Sequence, residues 1–140
     1  MAKTPEGRYI DKIHRQIHQD IWKIRMQMGM GATRGIPDML YRGTRNDLWV
    51  EYKYLKDWTK KRTIPWNQIS EHQMNWLIDG EALGRVNEHA VIWGDEKGKG
   101  VFIWAADVID DNIHKNLKPS DLILLTPKEI ARKIHQAITI

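Results

Sequence analysis

Two runs rich in strand-forming residues, PDMLYR (37–42) and LWVEYKYL (48–55), are separated by GTRN (43–46), whose glycine and asparagine suit a tight turn. The pattern predicts a β-hairpin, and a hairpin fixes which side chains meet. Symmetry about the Thr44/Arg45 bond sets Asp38 directly opposite Glu51. Opposed residues in an antiparallel pair share a face, with Cα atoms about 4.5–5.5 Å apart. Strand alternation puts Lys53 on that same face, about 7 Å further along.

Two carboxylates at such a separation repel unless one is protonated or a cation stands between them. The pair therefore calls for a hard divalent ion. Mg²⁺ fits best, because it takes oxygen ligands, keeps several waters and completes its shell with phosphate. Water on such an ion is a nucleophile near neutral pH, and a neighbouring ammonium stabilises charge developing on phosphate. Lys53 would orient that water, deprotonate it or hold it against the phosphate. The opposing reading is that Glu51 and Lys53 are ordinary alternating polar residues paired by charge, and for an isolated ExK that reading is the rule. Here Pro37-Asp38 comes first, the spacing allows a hairpin, glycines precede it and basic segments flank it.

The rest of the chain alternates helical and extended patterns. Thr4-Pro5-Glu6 starts a helix with a hydroxyl cap, a proline at the first position and a first-turn carboxylate. Ile10, Ile13, Ile17, Ile21, Ile24 and Met28 extend its apolar stripe to about Met28, where Gly29, Gly31 and Gly35 open a loop. Ser70 and Gln73 form a capping box for a helix from about Glu71 to Leu83. HAVIWG and GVFIW read as a second pair of strands. Thr126-Pro127-Lys128-Glu129 opens a last helix with Ile130, Ile134 and Ile138 on one face. This order gives an α/β domain with a mixed central sheet. At 140 residues one domain over 1–140 is expected.

Charge distribution says more than the formal net charge of +4. Residues 1–34 hold seven basic and three acidic side chains, and 53–62 hold five and one, so positive charge brackets Asp38 and Glu51. That is the pattern of a polyanion-binding face, although charge runs are also ordinary solvated surface. The absence of cysteine removes disulfides, thiolate metal sites and cysteine nucleophiles. Apolar runs such as VFIWAA are far too short for a membrane span and the N-terminus lacks a signal-peptide core, so a cytoplasmic protein is expected.

GIPD (35–38), VEYK (50–53) and SEHQMNWL (70–77), taken in order, resemble the PD-(D/E)XK nuclease superfamily, particularly its small VRR-NUC-type members encoded by phages. TPEG (4–7) is similar to the start of those stand-alone proteins. The resemblance spans about the first ninety residues. It implies a restriction-endonuclease-like core with a mixed sheet of about four strands flanked by helices. It implies phosphodiester hydrolysis with Mg²⁺ or Mn²⁺, and often a homodimer acting on branched or flapped DNA. Carried across, Asp38 is the PD aspartate, Glu51 the metal-binding acid and Lys53 the motif lysine, with the Tyr52 backbone carbonyl as a further metal ligand. Glu6 matches the acid on the first helix; four residues before Ile10, it lies over the buried stripe, although a plain helix-start carboxylate explains it equally. Asp11 and Asp20 are its substitutes. Gln73 matches the family's glutamine and is expected among the DNA contacts, and its capping-box role is the competing explanation. Tyr52, where the family prefers a small or apolar residue, points away from the metal.

Lys56, Lys60, Lys61 and Arg62, interleaved with Trp58 and Trp66, suit a DNA backbone with a ring stacked on an unpaired base, or else a flexible surface loop. Arg34 is a further phosphate contact or a solvated side chain. His14 and His18 lie four apart but lack a third ligand. GDEKGKG (94–100) lacks the spacing of a phosphate-binding loop. Trp49, Trp76, Trp93 and Trp104 read as packing. The alternative to an enzyme is a catalytically silent DNA-binding module with the same fold.

Overall fold

The computed structural model describes residues 3–26, 35–85 and 87–139. At its centre is the predicted hairpin, β2 (Met39–Arg42) antiparallel to β3 (Asp47–Leu55), with Met39 opposite Val50 and Arg42 opposite Asp47. That register, continued by one residue, brings Asp38 to Glu51. On the far side of β3, β4 (His89–Asp95) runs parallel, and β5 (Gly100–Trp104) returns antiparallel to it. A strand absent from the sequence-based reading, β1 (Trp22–Arg25), pairs antiparallel with β2. The sheet is therefore mixed, in the order β1-β2-β3-β4-β5, with five strands rather than about four.

Helices cover both faces. On one side α1 (Pro5–His14) and α4 (Pro127–Ile138) bury Ile10, Ile13, Ile130 and Ile134 against Met39, Tyr41, Val50, Tyr52 and Ile92. On the other, α2 (Glu71–Ala82) and α3 (Ala105–His114) bury Leu77, Ala105 and Val108 against Val91, Trp93, Val101 and Ile103. Strand parity explains the division: even-numbered residues of β3 and β4 face α1 and α4, and odd-numbered ones face α2 and α3. The parallel β3 to β4 connection needs a crossover, which α2 supplies. The capping boxes of α2 (Ser70, Gln73) and α4 (Thr126, Glu129) both form as the sequence predicts.

The first helix does not reach Met28. It ends at His14, and Trp22–Arg25 is extended. Ile17 and Ile21 are still buried, because single turns in which Gln16 N–H bonds the Ile13 carbonyl and Ile21 N–H the His18 carbonyl preserve the spacing between helix and strand. The free edge of β2 offers residues 22–25 a backbone ladder, and His14 Nε2, 2.8 Å from the Tyr41 hydroxyl, ties down the helix end. Met28, Gly29 and Gly31 lie outside the described residues. No described helix is long and apolar enough to cross a membrane.

Candidate active site

Glu51 stands on the odd-numbered face of β3, under α2, and is only 4% exposed. Its Oε1 accepts a hydrogen bond from Gln73 Nε2 at 2.9 Å and lies 3.6 Å from the Lys53 ammonium. Its Oε2 is buried without a hydrogen-bond partner. Asp38 completes the arrangement just outside β2: its Oδ2 accepts the Tyr52 N–H at 2.9 Å and its carbonyl accepts the Met26 N–H at 2.8 Å. A carboxylate thus takes over from the backbone ladder where β2 and β3 part. Gly35 makes the approach possible. Its φ is +88° and a Cβ there would lie 2.2 Å from the His72 carbonyl oxygen, so only glycine lets the chain before Asp38 press on the start of α2.

Burial, reinforced by the Asp38 charge, pushes the Glu51 carboxyl up to about 9, and Lys53 only partly offsets this. Without a cation, Glu51 holds a proton at neutral pH. Glu6 is half-buried at the first turn of α1, and its carboxyl is raised first by burial and then by Asp38, with Lys53 and Arg25 acting in the opposite sense. Glu6 therefore feels the same charges as Glu51. Among the described residues, however, no three His, Asp or Glu side chains form a group that could hold a metal ion, so Glu6 is not placed as a third ligand beside Asp38 and Glu51.

The donor set nevertheless suits a hard ion. Mg²⁺ is commonly held by one or two carboxylates, with water and substrate phosphate filling the remaining positions. An unpartnered buried carboxylate oxygen beside a second carboxylate is the atom such an ion satisfies. Tyr52 turns its ring to the opposite face, where its hydroxyl meets that of Tyr41 at 2.6 Å, as strand alternation requires. The substitutes for Glu6 are placed elsewhere: Asp11 pairs with Lys3, and Asp20, which lies outside the shortened helix, donates its backbone N–H to His18 Nδ1 at 3.2 Å.

The basic segment is also placed differently from expectation. Trp58 and Trp66 are buried, 2% and 6% exposed, and cannot stack on a base. Their indole N–H groups donate to the Trp93 carbonyl and to Asp111 Oδ2, both at 2.8 Å, which pins the segment against β4 and α3. Lys56, Lys60, Lys61 and Arg62 remain exposed on this anchored ridge. Lys97, on the β4–β5 turn, joins them beside Lys56, Lys60 and Lys61 and bonds Asp57 at 3.2 Å. No local signal ties residue 97 to the segment at 56–62. Gln73 carries both roles at once, since its Oε1 accepts the Ser70 N–H while its Nε2 holds Glu51. Arg34 lies outside the described residues. No family model matches the chain, and no curated protein matches it.

Proposed function

We propose that this chain is a Mg²⁺-dependent deoxyribonuclease of the PD-(D/E)XK type, hydrolysing phosphodiester bonds in branched, flapped or junction DNA, with Mn²⁺ as a substitute ion. One observation carries the reading: Asp38 and Glu51 converge across the hairpin, a buried Glu51 oxygen lacks a partner, and the Lys53 ammonium is 3.6 Å away. Asp38 and Glu51 would hold the ion, with the Tyr52 carbonyl as the adjoining backbone oxygen. Bound there, Mg²⁺ supplies an activated water and neutralises charge on the phosphate. Gln73 fixes the Glu51 carboxylate so that its free oxygen faces the site. Lys53 holds the attacked phosphate and the incoming water by charge. Glu6 orders water at the margin. Lys56, Lys60, Lys61 and Arg62 bind the DNA backbone outside the site. A homodimer and a cytoplasmic setting, in the host if the chain is phage-encoded, belong to the same proposal.

The test incubates the protein with linear, flapped and four-way-junction DNA in Mg²⁺, Mn²⁺ or EDTA. Metal-dependent cleavage, lost in Lys53→Ala while binding persists, is the expected result. Binding without cleavage in either metal would leave a DNA-binding module. Undiminished cleavage by Asp38→Ala or Glu51→Ala would refute the site.

A further inference from the structure

Next to the candidate active site, on the same face of β3, lies a cavity of about 410 Å³ that the proposed hydrolysis does not use. Its walls continue those of the site. Trp49 precedes Glu51 by two residues on β3, and Trp76 follows Gln73 by three on α2. The rings of Trp49 and Trp76 meet edge to face, with centroids 5.8 Å apart. The size falls within the range of small-ligand pockets, about 300–1,000 Å³.

The polar groups around the cavity differ from those of the basic ridge. Asp47, Asp79 and Glu88 line it, and Arg85 is turned to Glu88 at 3.7 Å. Such a rim accepts hydrogen bonds from amino groups and disfavours phosphate. Two residues bordering the cavity each bury a polar atom that has no partner: Trp76 Nε1, a donor, and His89 Nδ1. His89 is 6% exposed, and burial lowers the pKa of its imidazole. The wall is built for this ring: a Cβ on Gly80 would lie 2.8 Å from His89 Cε1. A glycine inside a helix costs about 1 kcal/mol relative to alanine, so its presence in α2 favours the imidazole at that spot.

We infer that this cavity receives an unpaired base one nucleotide from the scissile phosphate, stacked on Trp49, whose ring the edge-on Trp76 holds in place. The inference rests on the proposed nuclease reading and adds a substrate requirement to it. Two strand residues advance about 7 Å, so an occupant at Trp49 adjoins whatever Glu51 handles. A base brings a flat π face to the indole wall and amino groups to the Asp47, Asp79 and Glu88 carboxylates, while its phosphate stays outside the acidic rim.

The experiment maps the cleaved bond in a flapped DNA and then places an abasic residue one nucleotide to either side of it. Loss of stacking on one base should reduce kcat/KM about tenfold or more at one of the two positions and leave the other unchanged. Trp49→Ala should cut intact and abasic DNA at the same reduced rate, and Trp49→Phe should restore the discrimination. Tryptophan quenching in EDTA should report the same preference in binding, which keeps the inference testable if the protein binds without cutting. Equal cleavage of all three DNAs, with Trp49→Ala matching the parent, would overturn the cavity's role and leave the nuclease intact. Quenching by an arginine-rich peptide but not by DNA bases would overturn it in favour of a protein partner. Neither binding nor cleavage of any DNA would overturn both.

Discussion

Replacing Glu51 with Gln keeps the shape of the side chain and removes its proton equilibrium, which makes stability a direct report on the site. The folded-state carboxyl titrates near 9, against an ordinary value of 4.5. A raised carboxyl pKa means that the folded protein keeps a proton the unfolded chain has released. The associated stability is fully present below about pH 4.5 and is lost as pH rises towards 9. At about 1.4 kcal/mol per pH unit, burying this group costs the metal-free protein about 3 kcal/mol by pH 7. Glu51→Gln escapes that cost, because its amide oxygen still accepts from Gln73 and the amide carries no charge to bury. Thermal unfolding in EDTA should show the variant more stable than the parent by about 10 °C at pH 7, with the gap closing near pH 4.5. Mg²⁺ should narrow the gap at pH 7 by stabilising the parent alone. A variant less stable than the parent at pH 7 in EDTA would refute the reasoning, since Glu51 would then be contributing as a satisfied ionised group.

The other predictions probe the surroundings of the site. His14 is pushed down to about 4 by burial, with Lys23 and Arg25 adding to the effect, so its stabilising contribution is present above about pH 6.5 and fades as pH falls towards 4. Because the ring is partly exposed, about 1–2 kcal/mol should disappear across that window in urea titrations, and His14→Gln should flatten it. Gly35→Ala should lower the urea midpoint by the equivalent of at least about 2 kcal/mol, through left-handed strain and collision with the His72 carbonyl, and should reduce cleavage with it. Lys60→Ala and Lys61→Ala should each weaken DNA binding at every sequence tested and lower the slope of log K against log salt by about one, measured by fluorescence anisotropy.

How much of this was readable from residues alone depends on whether the deciding contact is local. The hairpin was legible because the turn residues and the two strand lengths together fix a register, and the register alone brings Asp38 to Glu51. The helix starts were legible for the same reason: a cap and its partner lie within four residues. β1 was not, since its partner is β2, whose paired residues lie 14 to 20 positions further along, and an isoleucine spacing of three and four fits a helix as well as a helix followed by turns. α3 was missed because its inward stripe contains Asp111, 2% exposed and held by the Trp66 indole and the Leu117 N–H. A buried carboxylate reads as surface until its donors are known.

Gln73 shows the same limit inside the site. Its spacing from Ser70 announces a capping box, and the capping box forms, but an amide has two ends. The carbonyl end satisfies the helix, and the remaining NH₂ reaches Glu51, 22 residues earlier in the chain. Helix capping therefore aims the donor that orients the carboxylate, so Ser70 acts on the site through Gln73 without touching it. Ser70→Ala removes the hydroxyl that holds the Gln73 N–H and should cost about 1 kcal/mol of stability. If the cap does position Glu51, the same substitution should lower kcat with little change in KM, whereas a purely structural cap would leave both unchanged in the folded fraction. Steady-state cleavage at a temperature where Ser70→Ala is fully folded separates the two outcomes, and Ser70→Asp, which restores the cap, should restore kcat.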